Sequence, residues 1–264
     1  MREDSFKEFP KEREEGLKKL YRYAAFDVMF YRPNLWVHSH RVSWLTEELA
    51  PIAQKYFKKF DGEKARILAL VHDDAELITG DIMSRAKARA SKKDTQKWYA
   101  DEARAIKELS SRYPKYLGEY SYRGLLTEAL TKTSPESWIV TFADKLDAYC
   151  EGLHEVTAGN FSLLQCILFY SRIFGVFEKK FPKLAPFLKD RSSALVDLER
   201  YLEVPFIKSG RYLSFGKPFT RKTVRLSSTL PFYDRWRELV IEHWGEKGIE
   251  ALITQKEFLS KGKA

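Results

Sequence analysis

Cysteine is scarce in this 264-residue chain, which contains only Cys150 and Cys166. Their spacing matches no zinc motif, and two cysteines do not make a disulfide framework. The chain also lacks a run of about 18 apolar residues, so we expect no membrane-spanning helix. The first residues, 1–5, lack the apolar core of a secretory signal. These absences together favour a protein of the reducing cytoplasm that does not bind a membrane.

Acidic residues are fewer than basic ones, 37 against 46, which gives a formal net charge of +9. A basic surface concentrates anionic partners such as nucleotides or nucleic acids. Residues 205–230 hold basic side chains with no Asp or Glu among them: Lys208, Arg211, Lys217, Arg221, Lys222 and Arg225. We interpret this segment first as a solvated loop or hairpin, and second as a phosphate-binding segment.

Apolar residues recur at three- and four-residue steps along most of the chain, which is typical of amphipathic helices. The pattern predicts helices over residues 12–30, 36–60, 63–77, 94–109, 123–131, 134–156, 161–181, 185–202, 232–244 and 247–258. Turn signals after residue 204 predict a small β-hairpin. The predicted fold is therefore all-α, with a helical bundle over residues 1–182. Residues 183–264 are predicted to form a helical extension that packs on the same domain.

Four residues that bind metals well lie on three of the predicted helices: His40, the pair His72–Asp73, and Asp144. A lone His-Asp dipeptide is a weak signal. Asp144, however, follows the apolar run 139–143, where a charge is costly unless it is paired or binds a metal. A mixed set of nitrogen and oxygen ligands suits a divalent Mn, Fe, Co, Ni or Zn ion. Such a site leaves coordination positions for water and substrate.

In chain order, these four residues resemble the H…HD…D pattern of the HD superfamily of metal-dependent phosphohydrolases. Residues 70–81 resemble the HD-x-x-E-x-x-T-G-D signature of its 5′-deoxynucleotidase branch, and residues 142–149 resemble its A-D-x-L-x-A-Y-type helix. The resemblance covers roughly residues 20–180. It implies an HD-type helical bundle with the metal site between helices. It also implies an enzyme that removes the 5′-phosphate from (deoxy)nucleoside monophosphates.

The resemblance assigns roles to residues of the long motif. It implies that His40, His72, Asp73 and Asp144 are the metal ligands. Glu76 would be the general acid/base, and it lies four residues after His72, on the same face of a helix. Asp81, with Thr79 beside it, would bind the substrate, and Asp81 would contact the sugar and favour a free 3′-hydroxyl.

The chain departs from the family's pattern at the substrate end of the site. Ser39, rather than Glu, precedes His40. The Arg-Trp pair that grips phosphate and screens the sugar in the family has no obvious counterpart. We take Arg22 and Arg32 as the main candidates for the phosphate contact, with Arg41 and Lys145 as weaker ones. Trp36 is the candidate aromatic.

Other polar residues near the motif have simpler interpretations. His38 lies two positions from His40, so on a helix it points to a different side, and we interpret it as a surface or supporting histidine. We interpret Asp147 as half of an ion pair on a helix surface, and Asp74 as a supporting or solvated acid. The aromatic-rich run 161–181 is better explained as core or dimer interface than as a base-stacking platform.

Two alternatives to the nucleotidase remain open. Other HD proteins are triphosphohydrolases or phosphodiesterases, and the C-terminal extension could redirect the pocket. The second alternative is a nucleotide- or nucleic-acid-binding module with a non-catalytic metal site, which the basic segment 205–230 motivates. The expected partner is a nucleotide substrate. A homodimer is expected by analogy with the family, and nucleic acid is a less favoured partner.

Overall fold

The computed structural model describes residues 9–24, 26, 28–82, 84–202 and 230–245. Within these residues the regular structure is helical, apart from one antiparallel hairpin that pairs Tyr116–Leu117 with Tyr120–Ser121. The helices are α1 (Lys11–Lys19), α2 (Leu35–Tyr56), α3 (Gly62–Val71), α4 (Glu76–Thr79), α5 (Ser84–Arg89), α6 (Lys92–Arg112), α7 (Tyr122–Thr131), α8 (Pro135–Thr157), α9 (Leu164–Lys180), α10 (Ala185–Leu188), α11 (Leu198–Leu202) and α12 (Pro231–Trp244). The predicted all-α fold is confirmed.

Side-chain caps fix the start of each long helix that carries site residues. Asn34 accepts the backbone N–H of Val37 at 3.0 Å and begins α2. Asp61 does the same for α3. Ser134 begins α8 through a capping box, with Pro135 at the first helical position. Such caps satisfy N–H groups that have no partner within the helix.

Helix α8 lies at the centre of the fold and packs against α2, α3, α9 and α12. Its Phe142 is fully buried and meets the edges of Phe174, Phe177 and Phe187 at centroid distances of 5.6 to 5.8 Å. Aromatic rings that pack edge to face bury much apolar area in a defined geometry. The helix that carries Asp144 is therefore held on several sides.

The predicted helix over residues 12–30 is wrong beyond Lys19, where an irregular loop follows. The buried guanidinium of Arg32 donates to the carbonyl of Tyr23 at 2.7 Å. Glu155 of α8 accepts two backbone N–H groups of the loop, at 2.6 and 2.9 Å. These long-range bonds replace the hydrogen bonds that a continued helix would make, so tertiary contacts override the local periodicity.

The C-terminal region differs from the prediction in one place. Residues 185–202 form the two short helices α10 and α11 rather than one long helix. The predicted helix over residues 232–244 is confirmed as α12, which packs on α2 and α8. The predicted hairpin in the basic segment 205–230 and the helix over 247–258 lie outside the described residues. The division at residue 182 remains a prediction.

The stretch Phe161–Lys180 is long and apolar enough, by length and composition, to cross a membrane, with a mean hydropathy of 1.3. Core helices of soluble proteins can be equally long and apolar. Phe174 and Phe177 of this stretch are buried against α8. That packing agrees with the interpretation of the run as core.

Arg13 and Asp74 form a buried ion pair that joins α1 to the turn after α3. Arg13 donates to the Asp74 carboxylate at 2.8 and 2.7 Å, and the Tyr122 hydroxyl donates to it at 2.8 Å. The side chains are only 3% and 1% exposed. Asp74, which we interpreted as a supporting or solvated acid, is thus a buried structural residue.

Replacing Arg13 with Met should lower the free energy of unfolding by about 3 kcal/mol, because it leaves a buried carboxylate without its partner cation. Urea unfolding followed by circular dichroism measures this change. The matched control is Lys18→Met, which removes an exposed ion pair with Glu14 and should cost less than about 1 kcal/mol. Equal effects of the two substitutions would contradict the structural role of the pair.

Candidate metal centre and nucleotide pocket

His72 and Asp73 lie in a turn between α3 and α4 rather than inside one continuous helix. The turn lets adjacent side chains face the same point, which a regular helix would separate by about 100°. The His72 ring donates from Nδ1 to the carbonyl of Ala69 at 2.7 Å. Its other ring nitrogen, Nε2, lies 3.3 Å from a carboxylate oxygen of Asp73.

The histidine that α2 contributes to this cluster is His38. Its Nε2 lies 3.5 Å from Asp73 Oδ2 and 3.4 Å from Asp144 Oδ1. Its Nδ1 donates to Asp147 Oδ2 at 2.7 Å. Our interpretation of His38 as a surface or supporting residue is therefore wrong, and so is that of Asp147, which is buried with a 1% exposed side chain.

His40, which we predicted as the first ligand, lies on another side of α2. Its Nδ1 donates to the carbonyl of Trp36 at 2.9 Å, and its ring packs on the Trp36 ring at 4.4 Å. Residues two apart on a helix point about 200° apart, so only one of His38 and His40 can face the cluster. The H…HD…D pattern does not specify the spacing, and no feature of the sequence indicated that Asp147 would pair with His38.

The cluster fits a divalent metal ion. One ligand atom each from His38, His72 and Asp144 lies within 4.8 Å of the others, and Asp73 adjoins them. Both histidine Nε2 atoms are buried without a hydrogen-bond partner. Each ring's Nδ1 is fixed by an acceptor, which leaves Nε2 as the metal-binding nitrogen.

The protonation states of His72 and Asp144 suit the binding of a metal ion. Burial lowers the pKa of His72, so its ring stays neutral near pH 7. Burial alone would raise the pKa of Asp144, but Lys145 and His38 hold it well below its usual range. A neutral imidazole and an ionised carboxylate are the forms that bind metals.

A cavity of about 270 Å³ opens beside the cluster. One wall carries His72, Asp73 and Asp144. The other polar and aromatic side chains that line it are Arg22, Glu76, Asp81, Lys87, Thr95, Trp98, Tyr99, Glu102, Lys132, Ser137, Thr141 and Lys145. The cavity therefore combines carboxylates, cations and aromatic rings. This lining suits a small polar ligand that has a planar part.

Glu76 lies at the wall of this cavity and is 8% exposed. Its Oε2 is buried without a hydrogen-bond partner, and Oε1 lies 4.0 Å from the ammonium of Lys87. Burial and the neighbouring Asp73 and Asp81 raise the pKa of Glu76 well above its usual value. A carboxyl with a raised pKa can hold and release a proton near neutral pH.

Two of the five predicted substrate-binding residues, Arg22 and Asp81, line the cavity. The guanidinium of Arg22 lies 3.4 Å from Asp73 and 3.9 Å from Asp144. Gly80, with a φ of 75°, ends α4 just before Asp81 and turns the chain there.

The other three predicted substrate-binding residues, Arg32, Trp36 and Thr79, do not line the cavity. Arg32 is buried in the loop after α1, where it binds backbone carbonyls. Trp36 packs against His40 on the far side of α2. The Thr79 hydroxyl donates to the carbonyl of Ala75 at 3.3 Å, and Thr79 faces a neighbouring groove. The side chains of these three residues point away from the cavity, a direction that spacing along the sequence left open.

Lys132 is a cavity residue that the sequence did not indicate. It has a positive φ of 54°, and its carbonyl accepts the indole N–H of Trp138 at 2.6 Å. Arg22, Lys87 and Lys145 each have a carboxylate within 4.0 Å, whereas Lys132 has none in the part of the chain described. Burial and the nearby Lys145 lower the pKa of Lys132 to about 8.

The profile of a protein family described as 5′-deoxynucleotidase YfbR-like matches residues 15–167, which is more than half of the chain. The chain belongs to the YfbR-like 5′-deoxynucleotidase family. The predicted resemblance to the 5′-deoxynucleotidase branch of the HD phosphohydrolases is confirmed.

Individual relatives agree with this assignment. The chain is 32% identical over 133 residues to a 5′-deoxynucleotidase of Yersinia pestis, and the match covers 50% of this chain and 66% of that protein. A solved protein from Pyrococcus horikoshii is 27% identical, with a TM-score of 0.54 over 73% of this chain and 99% of that one. An HD-domain phosphohydrolase from Listeria innocua is 21% identical and shares the fold, with a TM-score of 0.55 over 75% of this chain and 90% of that one.

Replacing His38 with Gln should weaken binding of a divalent metal by at least tenfold, because it removes a ligand nitrogen of the cluster. Replacing His40 with Gln should leave the affinity within about twofold. Competition of the metal-free protein with a chromophoric chelator measures both. Loss of affinity in the His40 variant alone would restore the prediction made from the sequence.

Proposed function

We propose that this protein is a metal-dependent phosphohydrolase that removes the 5′-phosphate of deoxynucleoside monophosphates. The observation that carries the proposal is the pair of buried, unpartnered Nε2 atoms of His38 and His72 beside Asp73 and Asp144. They border a cavity that Glu76 also lines. Family membership supports the same reaction. The match spans 66% of the length of the Yersinia pestis 5′-deoxynucleotidase.

His38, His72, Asp73 and Asp144 would hold the metal ion. A mixed nitrogen and oxygen donor set suits Mn, Co, Fe, Ni or Zn. A divalent ion there supplies Lewis acidity and activates water for attack on phosphorus. The remaining chemistry belongs to side chains of the cavity.

Glu76 is the group that moves a proton in this proposal. Its Oε2 has no hydrogen-bond partner in the chain, so it is available to the attacking water or to the leaving 5′-oxygen. The raised pKa of Glu76 suits both the uptake of a proton from water and its delivery to the leaving group.

Arg22 and Lys132 are our candidates for the contacts with the phosphate group. Arg22 lies beside Asp73 and Asp144, and its fork of donors matches the oxygens of a phosphoryl group. Lys132 lacks a carboxylate partner in the described residues, and an anion in the cavity would compensate its charge. Both side chains line the same cavity.

The nucleoside part of the substrate would occupy the rest of the cavity. Trp98 and Tyr99 of α6 offer aromatic rings to the base. Asp81 would accept a hydrogen bond from the sugar, as the resemblance implies. A homodimer, a cytoplasmic location and a lesser role for nucleic acid stay predictions.

The proposal is tested by a screen of ribo- and deoxyribonucleoside mono- and triphosphates with the full chain and added Mn²⁺ or Co²⁺. Metal-dependent release of orthophosphate from deoxynucleoside monophosphates is the expected result. Release of tripolyphosphate would favour the triphosphohydrolase instead. Salt-dependent binding of nucleic acid without hydrolysis of any nucleotide would favour the binding module.

Replacing Glu76 with Gln should reduce kcat at least about a hundredfold, because it removes the group that exchanges the proton. Metal affinity should stay close to that of the wild type, since Glu76 is not a ligand in this proposal. The matched control is Glu108→Gln on α6, at an exposed position beside a neighbouring groove. Full turnover by the Glu76 variant would remove it from the mechanism.

Replacing Lys132 with Met should lower kcat/KM for a deoxynucleoside monophosphate about tenfold or more, the usual worth of a hydrogen bond to a charged group. Steady-state kinetics at low ionic strength measures the change. Lys97→Met is the matched control, because Lys97 lines the neighbouring groove instead of the cavity. If both variants behave alike, the effect is one of net charge and Lys132 does not contact the phosphate.

A further inference from the structure

Asp147 is the acceptor at the centre of a buried polar network behind the candidate metal centre. Its Oδ2 accepts the Nδ1–H of His38 at 2.7 Å. Arg41 donates to both carboxylate oxygens, from Nε at 2.7 Å and from Nη2 at 3.1 Å. Trp236 donates its indole N–H to Oδ1 at 2.9 Å. Every side chain in this network is buried.

Trp236 reaches this network from α12, which lies beyond the residues 15–167 that match the family. Its ring is 1% exposed and covers the guanidinium of Arg41, whose central carbon is 5.2 Å from the ring centroid. The C-terminal extension therefore contacts the same carboxylate that holds a metal-ligating histidine. Nothing in the sequence links Trp236 to this site.

We propose that Trp236 is a positioning residue for the metal centre, which it affects through Asp147 and His38. This inference rests on the proposed function, because it needs His38 as a ligand. Trp236 and the Nε of Arg41 both bind Oδ1 and so fix the plane of the carboxylate, which keeps Oδ2 directed at Nδ1 of His38. That hydrogen bond fixes the orientation of the ring and presents Nε2 to the metal.

Loss of a group that holds a metal-ligating histidine typically costs tenfold to a hundredfold in metal affinity or activity. Without the indole N–H, Oδ1 keeps only the contact with Arg41 Nε, and the carboxylate is held less firmly. The expected loss for Trp236 is at the lower end of that range, because Arg41 continues to bind both oxygens.

Trp236 also packs against Tyr233 and His154, so the experiment must separate packing from hydrogen bonding. Trp236→Phe keeps an aromatic ring and removes the indole N–H. The matched control is Trp244→Phe on the same helix, where Trp244 packs against Trp44 outside the network. The readout is the affinity of the metal-free full chain for Mn²⁺ or Co²⁺, measured by competition with a chromophoric chelator, beside its thermal unfolding midpoint.

Trp236→Phe should bind the metal about tenfold more weakly, while Trp244→Phe binds within about twofold of wild type. In an Asp147→Asn background, Trp236→Phe should add no further loss, because its effect passes through Asp147. Unchanged affinity in Trp236→Phe, or an undiminished further loss in the Asp147→Asn background, would overturn the inference.

A measurement on the wild-type chain covers the case in which Trp236→Phe fails to fold. The indole N–H signal of Trp236 in a ¹H–¹⁵N spectrum should shift when metal is added, and the signal of Trp244 should not. A stationary Trp236 signal would overturn the inference. A wild-type chain that binds no divalent metal would contradict the proposed function as well, so the two failures are distinguishable.

Discussion

The hydrogen bond between His38 and Asp147 is the contact on which the site depends, because it joins α2 to α8 and at the same time orients the ring that we propose as a metal ligand. Both side chains are buried, and a buried environment normally disfavours a charged group. A buried carboxylate is tolerated only when it is well paired. Arg41 and Trp236 supply the remaining donors, and Arg41 holds the pKa of Asp147 well below its usual range despite burial. Asp147 is therefore constrained twice, by the packing of α2 on α8 and by its hydrogen bond to the ring of His38.

The rest of the site follows from where the helices end. The break after α3 lets His72 and Asp73 face one point, and α4 then carries Glu76 to the cavity wall. The loop after α1 holds Arg22 beside the carboxylates because Arg32 and Glu155 bind its backbone. Segments that the sequence predicted as continuous helix, but that are irregular in the structure, thus carry Arg22, His72 and Asp73 to the cavity wall.

Helix α12 of the C-terminal region contacts the buried polar network behind the site. Helix α12 buries Phe232, Trp236 and Val240 against the bundle, and one of these residues binds Asp147. The basic segment 205–230 connects this helix to the rest of the chain, but only Leu230 of that segment falls within the described residues. The match to the family spans residues 15–167, so α12 lies outside the matched part of the chain.

The sequence by itself determined the all-α fold, the family, and three of the four proposed ligands. Helical periodicity is local, and the motif from His72 to Asp81 is contiguous, so both can be recognised without a structure. The choice between His38 and His40 required the position of Asp147 across the helix interface. The choice of Arg22 over Arg32 as the arginine of the cavity also required the structure. So did the recognition of Lys132 as a cavity residue and of Trp236 as a partner of Asp147. Side-chain direction and long-range pairing decide these roles, and only the tertiary structure brings the partners together.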